Sequence, residues 1–136
     1  MKTISNSQLT IRVSPHGAEL CNIVCNGKEY LWQADPSFWK RHSPVLFPIV
    51  GSVWENEYRI DGATYNLTQH GFARDMNFEL IREQPDELRY RLADNEESRR
   101  RYPFPFRLEI GYRIQGKQIE VLWEVKNTED KELHFQ

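Results

Sequence analysis

The chain has 136 residues, with 18 Lys and Arg against 20 Asp and Glu and a formal charge of −2. So even a balance, with a pI near 6.1, argues against a dedicated nucleic-acid binder, which is normally clearly basic. The longest apolar-leaning run, 43–54, is interrupted by Pro44 and Pro48 and falls well short of the roughly 20 apolar residues of a membrane-spanning helix. The first eight residues lack the apolar core of a secretory signal, so the expected compartment is the cytoplasm. The length suits one domain, residues 1–136.

Taken in order, the chain reads almost everywhere with a hydrophobic period of two. Residues 9–13 alternate as a strand, and residues 21–25 follow as another, joined through Asn26-Gly27 to a third at 29–32. Cys21 and Cys25 are four apart on the second of these. On a strand that puts them on one face but roughly 13 Å apart, too far for a disulfide, so two reduced thiols are expected. Neither a second Cys pair nor a well-placed His16 supports zinc, and no metal is expected.

Residues 58–60 and 64–67 flank Asp61-Gly62, a second hairpin signal. Residues 77–82 and 87–92 flank Pro85-Asp86, a third. Asn95 followed by Glu96 and Glu97, with Arg99, Arg100 and Arg101 behind them, predicts a short capped helix over 95–101. Its charges read as a solvated face rather than a phosphate patch. A last hairpin runs 106–114, turns at 115–117 and returns over 119–125, with bulky apolar residues on one face and charges on the other. The sum is roughly eight to ten short strands and very little helix: an all-β antiparallel sandwich, or part of one.

Two segments break the alternation. Residues 41–51 read Arg-His-Ser-Pro-Val-Leu-Phe-Pro-Ile-Val-Gly, where two prolines force an edge or an irregular path. Residues 69–75 read Gln-His-Gly-Phe-Ala-Arg-Asp, an amide, an imidazole, a guanidinium and a carboxylate crowded around a glycine. Such polar density after a strand fits a pocket rim. A partly buried, hydrogen-bonded His70 and surface ion pairs of Arg41 and Arg74 with Glu55 or Asp75 would explain the same residues without a ligand. His16 and His42 read as turn or surface residues, and His134 as part of a strand end. Trp32, Phe38, Trp39 and Trp54 fit a core better than a sugar-stacking platform. No phosphate loop, nucleophile elbow, H-E-x-x-H or spaced carboxylate pair is present.

At these two segments the sequence resembles the aldose 1-epimerase (galactose mutarotase) superfamily, in its LacX-like and hexose-6-phosphate mutarotase-like branch, where R-x-x-P-x-x-F-P and Q-H-G-F-A-R recur. The flanks agree in order: His16-Gly-Ala-Glu-Leu20, Tyr30-Leu-Trp32, Asp61-Gly62 to Tyr65, Tyr102-Pro-Phe-Pro-Phe106 and Val125-Lys-Asn127. The resemblance implies an antiparallel supersandwich, no cofactor, and interconversion of the α and β anomers of a hexose or hexose phosphate. A general base would take the anomeric proton and a general acid would protonate the ring oxygen. It implies sugar binding by Arg41, Gln69, His70 and Arg74, with His70 polarising or orienting the ring oxygen. Two guanidinium forks would suit a phosphate, although neutral sugars also use arginine.

Family members are about twice this long. Their principal acid lies in a G-x-H-P segment and their base is a distal glutamate, and neither is among these residues; His134 is not in that motif. The expectation is therefore the binding half of a site, inactive alone. The alternative is a non-catalytic carbohydrate-binding β-module or remnant. Half a sandwich would expose strand edges, so a homo-oligomer is also expected.

Overall fold

A computed structural model describes residues 1–136. Ten strands and one short α-helix, with 3₁₀ turns at Trp54–Asn56 and Ala73–Asp75, follow in the order β1 (Lys2–Ser5), β2 (Leu9–Val13), β3 (Leu20–Cys25), β4 (Lys28–Glu29), β5 (Glu57–Ile60), β6 (Ala63–Asn66), β7 (Glu79–Glu83), β8 (Glu87–Ala93), α1 (Glu96–Arg101), β9 (Phe106–Gln115) and β10 (Gln118–Asn127). All strand pairs are antiparallel, in sheets ordered β1-β2-β3-β4, β10-β9-β8-β7 and β5-β6. No helix is long and apolar enough to cross a membrane.

The turns follow from residue chemistry. Asn26-Gly27 and Asp61-Gly62 both adopt positive φ at each residue, the backbone of the two-residue hairpin turn that matches strand twist. In α1, the Asn95 side chain accepts from the Ser98 N–H while the Ser98 hydroxyl accepts from the Asn95 N–H. This reciprocal capping satisfies two of the orphan donors of a helix start.

Two predicted elements differ. The strand expected at 29–32 stops at Glu29, because the Glu29 carboxylate itself accepts from the N–H groups of Ile23, Tyr30 and Leu31. The Tyr30 N–H still reaches the Ile23 carbonyl at 2.8 Å, but the side chain takes the Ile23 and Leu31 donors that a continuing ladder needs. His134 lies outside any strand, since β10 ends at Asn127. Its carbonyl accepts from the Tyr102 hydroxyl at 2.6 Å. Cys21 and Cys25 are both free thiols.

The inner faces of the two four-stranded sheets meet in one core of 22 buried residues. Ile11 and Val13 from β2 and Leu88, Tyr90, Leu108 and Ile110 from β8 and β9 are essentially sealed from solvent. The Tyr112 hydroxyl donates across the core to the Ala18 carbonyl at 2.7 Å, which ties β9 to the segment entering β3. Along β10 the cover runs out: Val121 and Trp123 remain about half exposed.

The outer face of β8 and β9 carries charge instead. Buried Glu87 faces Arg89, Arg113 and Arg82, and buried Glu109 faces Arg91, Arg107 and Arg89. Burial alone would raise the Glu87 carboxyl, but the hydrogen bond from Arg113 and the charges of Arg82, Arg113 and Arg89 together hold it below the usual carboxylate range. A lowered folded-state pKa contributes stability above the unfolded value near pH 4.3, and that stability is lost as pH falls through the folded value. Glu87→Gln is therefore expected to lower Tm at pH 7 by roughly 3–10 °C and to lose less further stability than the wild type between pH 5 and 3. Parallel pH–Tm curves for the two proteins would contradict this.

Candidate functional site

The site is built where segment 41–51 lies beside segment 69–75. The Phe47 carbonyl accepts from the N–H groups of Phe72 and Ala73 at 3.0 and 3.2 Å, and Phe47 and Gly71 form an isolated parallel bridge. The prolines flanking residues 45–47 explain why no regular strand forms there: Pro48 has no N–H to give a ladder. The Phe47–Pro48 peptide is cis. Phe47 and Phe72 sit buried in the core beneath Tyr102 and Phe106, so the crossing has an apolar floor.

Gly71 makes the crossing possible. Its φ is +69°, and a Cβ there would come within 2.2 Å of the Phe47 oxygen and 2.6 Å of Pro48 Cδ. Gly17 plays a similar part below, since a Cβ on it would meet the Arg74 oxygen at 2.8 Å. Its N–H donates to the Met76 carbonyl at 2.8 Å, which brings the 17–19 segment up under the Arg74 backbone.

The crossing sets the tautomer of neutral His70. The Gly51 N–H donates to His70 Nδ1 at 2.9 Å, and the His70 N–H donates to the Gly51 carbonyl at 2.7 Å. A backbone N–H only donates, so Nδ1 is an acceptor and the neutral ring carries its proton on Nε2. His70 holds this position in the left-handed region, at φ +66°. The imidazole is thus presented as a hydrogen-bond donor to whatever lies beyond Nε2.

A cleft of about 500 Å³ is lined by His70 together with Gln69, Arg74, Trp39, Ser43 and Leu46. The Arg74 guanidinium is steadied by its bond to the Gln69 carbonyl at 2.7 Å, while its buried Nε has no hydrogen-bond partner and lies 3.7 Å from Asp75 Oδ2. Arg41 does not line this cleft. Its Nη2 bonds Asp75 Oδ1 at 2.8 Å, so the two arginines meet through one carboxylate. Three of the four expected binding residues therefore share a cleft, and the fourth is joined to it through Asp75. Of the two ion-pair partners expected, Asp75 and not Glu55 is used.

The aromatic cluster is not core. Trp32, Phe38, Trp39 and Trp54 are 42–83% exposed, and Trp39 lines the cleft. The Trp32 indole donates to the Trp39 carbonyl at 2.8 Å, bracing that loop. Period-two reading could not assign these residues to a face, because 32–39 is not a strand. A second feature missed from sequence is Glu19. Its Oε1 accepts from the N–H groups of His42 and Ser43 at 2.9 and 3.1 Å, and the Ser43 hydroxyl donates to the Leu20 carbonyl at 2.7 Å. One carboxylate anchors the start of the segment that carries Arg41 and Ser43. His16 takes no part: its Nδ1 lies 3.2 Å from Asn77 Oδ1.

The family model for aldose 1-epimerase matches residues 1–136, and the chain belongs to that family. It is 33% identical to the plasmid and chromosomal LacX proteins of Lactococcus lactis subsp. lactis, over 93% of this chain and 44% of theirs. The chain thus spans less than half the length of these curated relatives. Among solved structures it is similar to a galactose mutarotase related enzyme from Lactobacillus acidophilus, with a TM-score of 0.93 and 40% identity over 95% of this chain and 44% of that one. A galactose mutarotase-like protein from Lactobacillus casei gives 0.93 and 34%, over 96% and 45%. The antiparallel sheets described above are those of these mutarotase-like β-sandwiches over the part the chain spans.

Gly71→Ala is expected to cost about 2–4 kcal/mol, or roughly 6–20 °C in Tm, because the neighbour it meets is backbone. Gly62→Ala has the same left-handed φ but nothing within 4 Å, and should cost only about 1 kcal/mol. Thermal unfolding followed by circular dichroism compares them, and equal losses would mean that the crossing does not constrain residue 71.

Proposed function

We propose that the protein is the sugar-binding part of an aldose 1-epimerase acting on the anomers of a hexose or hexose phosphate. The observation that carries this reading is the Gly51 N–H on His70 Nδ1. It leaves Nε2–H as a fixed donor suited to a sugar ring oxygen, whose lone pairs accept but never donate. Gln69 and Arg74 supply further donors for hydroxyls in the same cleft. Polarising the ring oxygen favours cleavage of the C1–O bond once a base takes the anomeric proton. The ring then opens, the C1–C2 bond rotates and closure gives the other anomer. Residues 1–136 act in this reading as one β-sandwich domain in which His70 orients and polarises the ring oxygen and Arg41, Gln69, His70 and Arg74 bind sugar. The main acid and base implied by the resemblance are not among them.

Titration of the 136-residue chain with hexoses and hexose phosphates, by calorimetry or ligand-observed NMR, tests binding. His70→Ala and Arg74→Ala are each expected to weaken it by roughly 10–100-fold. Asp75→Asn, which leaves Arg41 and Arg74 uncompensated, should favour the phosphorylated sugar several-fold over the neutral one. Polarimetry of fresh α-D-glucose or galactose separates binding from turnover. No acceleration is expected from this chain, since losing a positioned acid or base costs on the order of 10²–10⁴ each. Accelerated mutarotation would refute the assignment of acid and base outside these residues. Absence of any sugar binding would remove both this reading and a non-catalytic carbohydrate-binding module.

The chain is further proposed to self-associate along β10, an edge strand whose inner-face residues Val121 and Trp123 are 49% and 50% exposed. Sedimentation equilibrium is expected to show a concentration-dependent dimer that Trp123→Lys weakens at least tenfold. A monomer at every concentration would contradict it.

A further inference from the structure

Behind the sugar cleft, three side chains of different chemistry converge. Glu19 immediately precedes β3 and Cys21 lies in it, at the register slip where Val13 pairs with Leu20 and Arg12 with Asn22, so Cys21 is the extra residue of a bulge. His42 faces them from the start of the 41–51 segment. A carboxylate oxygen, the Cys21 Sγ and a His42 ring nitrogen all lie within 4.8 Å of one another, and His42 Nδ1 is 3.9 Å from Glu19 Oε2.

The arrangement does not depend on these side chains attracting one another. His42 is held in place by its own backbone, through the N–H bonds that it and Ser43 give to Glu19 Oε1. Glu19 therefore uses one oxygen to latch the loop and keeps the other, Oε2, facing the ring. Cys21 is 3% exposed, whereas the Glu19 and His42 side chains are 15% and 24% exposed. The cluster thus has a closed end at sulfur and an open end at imidazole.

The geometry points to a divalent-metal site formed by Glu19 Oε2, Cys21 Sγ and His42 Nδ1, of the Zn²⁺ class. The donor set selects the ion: a thiolate excludes Mg²⁺ and Ca²⁺, which take oxygen ligands, while one sulfur, one nitrogen and one oxygen suit Zn²⁺ or Co²⁺. Bonds of about 2.0–2.3 Å around a tetrahedral centre bring ligand atoms to roughly 3.3–3.8 Å from each other. The present cluster needs to close by on the order of 1 Å, within reach of a rotation of the partly exposed His42 ring. Three protein ligands leave a fourth position for water.

Binding exchanges one contact for another. The Cys21 thiol donates to the Glu19 carbonyl at 3.3 Å, and burial, with the Glu19 charge, pushes the thiol up from its ordinary value. The thiol proton leaves to water as the sulfur–metal bond forms. The site also touches the cleft through the chain itself: His42 sits between Arg41, which joins Arg74 through Asp75, and Ser43, which lines the cleft.

Co²⁺ titration of the reduced full chain tests the site without reference to sugar. A near-ultraviolet thiolate-to-cobalt charge-transfer band is expected, saturating at one ion per chain and displaced by Zn²⁺. Cys21→Ser should abolish the band, and His42→Ala should weaken Co²⁺ at least tenfold. Cys25→Ser and His16→Ala should leave the band and the affinity unchanged. Matching circular dichroism spectra and Tm values identify variants that are folded, and the Cys25 and His16 variants keep the test decisive if Cys21→Ser does not fold. A titration with no charge-transfer band overturns the proposal, as does a band that survives Cys21→Ser or disappears with Cys25→Ser.

Discussion

The carbonyl of Phe47 is the point on which the candidate site depends. It accepts two backbone N–H groups from the neighbouring segment, and it does so at a distance that only a residue without a side chain allows at position 71. From that contact follow the exchange between Gly51 and His70, the acceptor role of the imidazole Nδ1, and the juxtaposition of Gln69 and Arg74. Neither segment is a strand, so no sheet ladder holds them. Their mutual hydrogen bonds and the buried rings of Phe47 and Phe72 replace one.

The sheets beneath serve as a frame, and their polar outer face is unusual for a charge layer. Glu87 and Glu109 are buried yet each is surrounded by arginines rather than paired with one. Carboxylates spaced along antiparallel strands with guanidinium groups between them make a cross-strand lattice. Each buried carboxylate meets more than one partly exposed arginine, so no single arginine alone compensates it.

Much of the frame could be read from sequence because its causes are local. Asn-Gly and Asp-Gly at 26–27 and 61–62 accept positive φ at low cost and adopt it here, and the Asn95 cap needs only the residue three further on. Strand β1 escaped because Ile4 is its one buried residue, too little for a period to register. The strand expected at 29–32 failed through a side chain acting on backbone, which hydrophobic patterning does not encode. At the site, residue types and their order pointed to Gln69, His70 and Arg74, whose association is enforced within six residues. The meeting of Glu19 and Cys21 with His42 spans more than twenty residues and comes from a backbone latch, so no spacing rule reveals it. The exposed tryptophans were misplaced for a related reason: apolar content says a residue prefers burial, but not whether a sheet reaches it.

The bridge through Asp75 has one more consequence. A guanidinium already engaged by an internal carboxylate is not a free charge awaiting a ligand. Arg74 is oriented before anything arrives, by its hydrogen bond to the Gln69 carbonyl, and Arg41 by its bond to Asp75. A sugar hydroxyl meeting Arg74 would meet a rigid, half-neutralised donor, so shape and hydrogen-bond direction would count for more there than net charge. Asp75, itself about half exposed, places a carboxylate beside both arginines, where any anionic group approaching them would meet it.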